Sequence, residues 1–160
     1  MTDDAYPCLT IDQSRDFAIK IACTRVQEYS KVGMPGLKEY FFAVNGKIRH
    51  PTGYFIYDAS DIVFGEDDFE RFMQALADIR SGTASYAKLA NVGEMFVLSV
   101  ETRGRELHCS LNIREFQPGA ELTALNAGFK VDYDLFINKL AADVREFTKS
   151  LKSVAPEQAV

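Results

Sequence analysis

The apolar residues of this chain switch between two periods, and the order of the switches constrains its fold more than any other feature. In "DFAIKIACTRV", Phe17, Ile19, Ile21 and Cys23 alternate with Ala18, Lys20, Ala22 and Thr24. A period of two puts one set of side chains on each face of a strand. In "GEDDFERFMQALADIRSG", Phe69, Phe72, Met73, Leu76 and Ile79 follow the spacing of one helical face, which predicts a helix over about 67–81. Strand-like runs then return in "TASYAKL", "EMFVLSVE", "RELHCSLNIREF" and "ELTALNAGFKVD". A second stripe, Tyr133, Phe136, Ile137, Leu140, Ala141, Val144, Phe147 and Leu151, predicts a closing helix over about 133–151. Strands, helix, strands, helix with short links predict an α+β fold. The expected form is a mainly antiparallel sheet of about six to seven strands, with both amphipathic helices on one of its faces. The two halves echo each other in order, without a residue-level repeat.

Punctuation residues refine this outline. Gly33, Pro35 and Gly36 mark a loop. Asn45-Gly46 suits a tight hairpin turn, but Pro51-Thr52-Gly53 breaks pairing more firmly. The preferred reading is therefore one long strand to about Arg49 that turns at His50–Gly53. Gly82 and Arg80 are stop signals for the first helix. "TRGR" at 102–105 and "QPG" at 117–119 separate strands as turns. Asp132 or Asp134 caps the second helix, whose end carries Lys149 and Lys152. A single domain over 1–152 with a flexible tail at 153–160 is expected.

The carboxylates Glu66, Asp67, Asp68 and Glu70 open the first helix. Exposed amide groups there carry partial positive charge, so acidic residues stabilise a helix start. Consecutive helical positions diverge by about 100°, so Glu66, Asp67 and Asp68 do not converge on one ion, and no calcium-loop spacing occurs. The cysteine and histidine residues are too scattered for a zinc site. His108 and Cys109 are neighbours on a predicted strand and face opposite sides, which precludes a dyad there. His50 falls in a turn. No nucleophile elbow and no glycine-rich phosphate loop is present. Catalytic residues, metal ligands and cofactor-binding residues are therefore expected to be none, and the chain is read as non-catalytic.

The formal net charge of −5 argues against a nucleic-acid partner and suits a basic protein partner. No apolar run is long enough to cross a membrane, and the start, "MTDDAYPCLTIDQ", lacks signal-peptide character. Three unclustered cysteines suit reduced thiols. A cytoplasmic protein is the expectation.

A longer pattern resembles the WapI-type immunity proteins and related small bacterial proteins of unknown function. It comprises "GYFIYDASDIVFGEDDFERFMQALADIRSGTASY", "GEMFVLSVETRGRELHCSLNIREF" and "LTALNAGFKVDYDLFINKL", covering about 40–145. Phe69, Phe72, Leu76 and Gly82 match that family's first helix, and Gly104 its hairpin turn. Asp132, Asp134, Leu135 and Leu140 match its closing element. The family's usual strand Trp is absent here, and the closing helix runs longer. The resemblance implies a protein-binding module that neutralises a cognate toxin, with no catalytic residues to carry over. On that reading Asp58, Asp61, Glu66, Asp67 and Asp68 form a candidate acidic docking rim. The alternative is a small-ligand-binding or enzymatic domain with a pocket between sheet and helices, for which Tyr40, Tyr54, Tyr57 and Tyr86 are candidate lining residues. A third reading is a homo-oligomer joined through an edge strand.

Overall fold

The computed structural model describes residues 6–14, 17–29, 36–65, 67–117 and 120–157. Eight antiparallel strands form two four-stranded sheets, each a simple meander. The first holds β1 (Cys8–Ser14), β2 (Phe17–Tyr29), β3 (Leu37–His50) and β4 (Gly53–Gly65). After helix α1 (Asp68–Ser81) comes the second, with β5 (Tyr86–Ala90), β6 (Phe96–Arg103), β7 (Glu106–Gln117) and β8 (Ala120–Val131). Helix α2 (Tyr133–Ser153) closes the chain's regular structure. The fold class is α+β as the periodicities predict. Among the described residues the strands number eight, close to the six or seven expected, and they form two sheets rather than one. The additional strand is β1, whose only buried apolar residues are Leu9 and Ile11, too short an alternation to stand out.

By internal contacts the chain divides into two units, residues 1–66 with 143–160 and residues 67–142. In the first, Phe42 of β3 is fully buried. Its ring meets Phe64 edge-on at 5.2 Å and lies 6.2 Å from Phe147 of α2. Burying each such side chain contributes roughly 1.5–3 kcal/mol. Beyond the end of α2, Glu157 N–H donates to Val26 O at 2.8 Å, which sets the chain beside β2. In the second unit, α1 buries Phe69, Phe72, Leu76 and Ile79. The inward faces of β6 and β7 supply Leu98, Val100, Leu107, Cys109 and Leu111 to that core. Tyr133 hydroxyl donates to Ile79 O at 3.0 Å, tying the start of α2 to the end of α1.

Two bulges explain why the alternation in the first sheet does not hold one phase. In β2 the buried positions run Phe17, Ile19, Ile21, Cys23 and then Val26. Register shifts between Cys23 and Arg25, where the Thr24 hydroxyl donates to Phe41 O at 3.1 Å. In β4 the inward residues change from odd to even numbers across a shift between the Phe42↔Ile62 and Val44↔Ala59 pairs. The extra residue keeps one face buried on both sides of the shift. Asp61 sits in that bulge at φ +55, a left-handed conformation that Asp tolerates better than most residues.

The turns follow the sequence. β3 runs unbroken to His50, which pairs with Gly53, and Asn45-Gly46 lies mid-strand. Gly104 takes φ +65 at the first position of the two-residue link between β6 and β7, the place that favours glycine in such hairpins. Gly82 ends α1 at φ +76, its N–H donating to Ile79 O. Asp132 caps α2, its Oδ1 accepting from Leu135 N–H at 3.0 Å.

Candidate functional site

The stretch "GYFIYD" at the start of β4 is apolar in both phases of its alternation, which a strand with one face in water does not need. Tyr57 turns inward and is buried, with Phe55 half-buried. Tyr54 and Ile56 point outward and are 53% and 72% exposed. β4 is also an edge strand. The register then fixes the surroundings. Lys47 of β3 stands beside Ile56, and Ala18 of β2 beside Lys47. One row further on, Asp58, Asn45, Lys20 and Thr10 cross all four strands. A shallow groove of about 340 Å³ runs over these residues.

Short contacts organise the patch. Asn45 Nδ2 donates to Asp58 Oδ1 at 2.5 Å, holding the carboxylate against the sheet. The Lys47 ammonium lies 4.2 Å from the centre of the Tyr54 ring, a cation–π contact at an exposed site. The small side chain of Ala18 leaves the middle of the face low. The result is an apolar ridge, Tyr54 and Ile56, rimmed by lysines and one carboxylate.

The five carboxylates expected to form an acidic rim divide between the two units. In the first, Asp58 is bonded to Asn45, while Asp61 stands 4.0 Å from Arg25, whose guanidinium covers the Phe41 ring at 4.0 Å. In the second, Asp67 occupies the N-cap of α1 with no side-chain cap bond. Asp68 follows in the first turn and accepts from Arg71 at 2.5 Å. Glu66 lies outside the described residues. Two of the four described carboxylates are thus engaged by neighbouring side chains at hydrogen-bond distance; Arg71 offsets the charge of Asp68, whereas the neutral Asn45 amide only fixes the position of Asp58.

The tyrosines proposed as pocket lining do not gather. Tyr40 is buried beside Phe42, Tyr57 is buried under the groove, and Tyr54 and Tyr86 are exposed. In the second unit a cavity of about 740 Å³ is lined by Ile79, Thr83, Ser85, Thr102, Arg105 and Tyr133, among others. Three of its four hydroxyls are turned to the backbone: Thr83 donates to Asp78 O, Thr102 to Ser85 O and Tyr133 to Ile79 O.

The remaining titratable groups read as structural. Burial pushes the thiols of Cys23 and Cys109 up to about 11 and about 12, so both stay protonated and weakly nucleophilic at neutral pH. Cys8 is exposed. His108 is half-exposed and 3.3 Å from Glu106, on the opposite face from buried Cys109. Hydrogen bonds from Lys130 and then His108 hold the Glu106 carboxyl below its ordinary range. Among the described residues, no group of three or more His, Cys, Asp or Glu is placed to hold a metal ion.

Compared with protein-family models, curated proteins and solved structures, the chain matches none.

Lys47 and Ile56 were not singled out from the sequence, and Asn45 was noted only as a turn signal. The signal for Ile56 was present, because apolar residues on both phases of one strand ask for cover on both faces. Lys47 and Asn45 join it only through cross-strand register, which no short motif encodes.

Proposed function

We propose that this chain is a non-catalytic protein-binding module, and specifically an immunity protein that neutralises a cognate toxin inside the producing cell. The observation that carries the binding reading is the outward face of the first sheet. Tyr54 and Ile56 stand exposed on it, flanked by Lys47, Lys20 and Asp58. An apolar centre with a charged rim is the usual anatomy of a protein-binding patch, and aromatic anchors supply much of the energy at such sites. The toxin-neutralising role comes from the resemblance to WapI-type immunity proteins over about 40–145. Mechanistically, the ridge packs on the toxin and blocks its active site, while the lysines and Asp58 fix register.

The test is inhibition of the toxin encoded beside this gene. Purified chain should abolish its activity at equal molar ratio. Lys47→Glu should weaken that inhibition at least tenfold, whereas Arg80→Glu, at the exposed end of α1, should leave it unchanged. Full inhibition by Lys47→Glu would place the contact elsewhere, and no effect of the intact chain on the toxin would end the immunity reading.

A second reading rests on the 740 Å³ cavity of the second unit, whose Arg105 suits a small anionic ligand. Thermal stabilisation by such a ligand, lost in Arg105→Ala, would favour it over the first.

A further inference from the structure

Four strand edges end the two sheets, and three of them carry the usual devices against pairing with another chain. β5 is five residues long and presents Lys88 outward. β8 presents Asn126, Gly128 and Lys130, and Lys130 is paired with Glu106. β1 is seven residues long, presents Thr10 and Asp12, and is irregular after Asp12. β4 is the exception in its first half, since its exposed carboxylates and its bulge lie from Asp58 onward. It is thirteen residues long, contains no Lys, Arg or Pro, and places Tyr54 and Ile56 in water. Among the described residues no strand lies along its outer edge.

We propose that β4 pairs with β4 of a second copy of this chain, antiparallel across a twofold axis at Ile56, joining two four-stranded sheets into one.

Hydrogen-bond parity, the turn and the bulge together favour this register. His50 and Gly53 close a two-residue hairpin as a pair, and such a closing pair exchanges both of its backbone bonds. The alternation then directs Gly53, Phe55 and Tyr57 at β3, and turns the backbone groups of Tyr54, Ile56 and Asp58 outward. Those three residues are available to an incoming strand. Two identical strands can bond through them when the axis passes through one of the three, or through Phe55 or Tyr57 between two bonded pairs; an axis at Phe55 sets Asp58 against Thr52 of the turn, and one at Tyr57 sets Tyr54 against Ser60 beside the bulge at Asp61. An axis at Ile56 engages all of them, opposing Ile56 to itself and Tyr54 to Asp58. About six backbone hydrogen bonds form.

The side chains agree with that axis. Ile56 meets its own copy at the centre of the face. The carboxylate of Asp58 falls opposite the Tyr54 hydroxyl end of the other copy rather than opposite the same carboxylate. Arg49 stands beside Tyr54 in its own sheet, so each Asp58 shares a row with the partner copy's positive charge. An axis at Asp58 would instead oppose two carboxylates, and like charges directly opposite are destabilising. The bulge at Asp61 ends the regular stretch, limiting the pairing to the first half of β4. The surface buried is therefore small for a protein interface, and the dimer is a weak one that forms with concentration.

This inference needs no toxin and does not rest on the immunity reading, because the chain alone displays it. Sedimentation equilibrium over about 1 µM to 1 mM should show the mass rising from 17.9 kDa toward twice that value. Ile56→Lys, at a position 72% exposed, should keep the native circular dichroism and stay monomeric throughout. In a Cys8→Ser background, Ile56→Cys should form a disulfide-linked dimer on mild oxidation, since paired strands bring these Cα atoms within bonding reach. Tyr54→Cys should not, although Tyr54→Cys mixed with Asp58→Cys should. A constant monomer mass overturns the proposal. So does a dimer that survives Ile56→Lys, growth beyond the dimer, or crosslinking of Tyr54→Cys as efficient as that of Ile56→Cys.

Discussion

The two sheets follow one plan and treat their borders in opposite ways. Each is a four-stranded antiparallel meander followed in sequence by a helix. Each buries one face behind large apolar side chains and places a cysteine on that face, Cys23 in the first and Cys109 in the second. The second sheet ends in strands marked by lysine, and its outward face is polar apart from Tyr86, with Ser99 and Ser110 hydroxyls bonded at 2.6 Å. The first ends in β4, which shows tyrosine and isoleucine to water. Similar packing demands produce similar interiors. The borders are free of those demands, so differences there point to function.

If the interiors are alike, removing the central aromatic should cost both units the same. Phe42→Ala in the first and Phe72→Ala in the second, each fully buried, should lose about 3–5 kcal/mol in urea denaturation. A loss confined to one of them would break the likeness.

The buried thiols test it next. In the folded chain both lie above the ordinary value of 9.0, Cys23 at about 11 and Cys109 at about 12. The unfolded chain ionises first as pH rises, so stability falls from about pH 9 upward, by on the order of 1 kcal/mol per pH unit and thiol at most. Thermal melts from pH 8 to 11 should show this decline. Cys109→Ala should extend resistance to higher pH more than Cys23→Ala does.

Turn glycines come after these. Gly104→Ala forces a side chain into φ +65 and should cost about 1 kcal/mol, read as a lowered melting temperature. In β3, Gly46→Ala should change it less, because Gly46 is not at positive φ and a Cβ there meets Tyr57 at 3.7 Å, an ordinary contact. The smallest stability effect is expected at the lysines of the second sheet. Lys88→Ile with Lys130→Ile should barely move the urea midpoint, yet should raise light scattering at high concentration. Unchanged scattering would mean that these lysines do not guard their edges.

How much of this was legible in the sequence depends on the range of the information. Helix α1 could be read because its stripe, its Gly82 stop and its acidic first turn are all local. The hairpin at His50–Gly53 could be read because proline removes a backbone donor. The bulge at Asp61 left a trace, a change of phase between Tyr57 and Ile62, although phase alone does not say which residue is extra. The division into two sheets left none, because nothing near β4 or β5 states that they do not pair. The same limit applies to the candidate surface. Asp58 was named from its charge, but its bond to Asn45, thirteen positions away, depends on the chain folding back in one register.

Helix α2 carries a consequence for biosynthesis. Its residues from 143 onward belong with the first sheet, and Phe147 packs on Phe42. Translation delivers that sheet first and its covering segment last. The nascent first meander therefore leaves the ribosome with a sticky inner surface, one that chaperones have reason to hold until the final turns emerge.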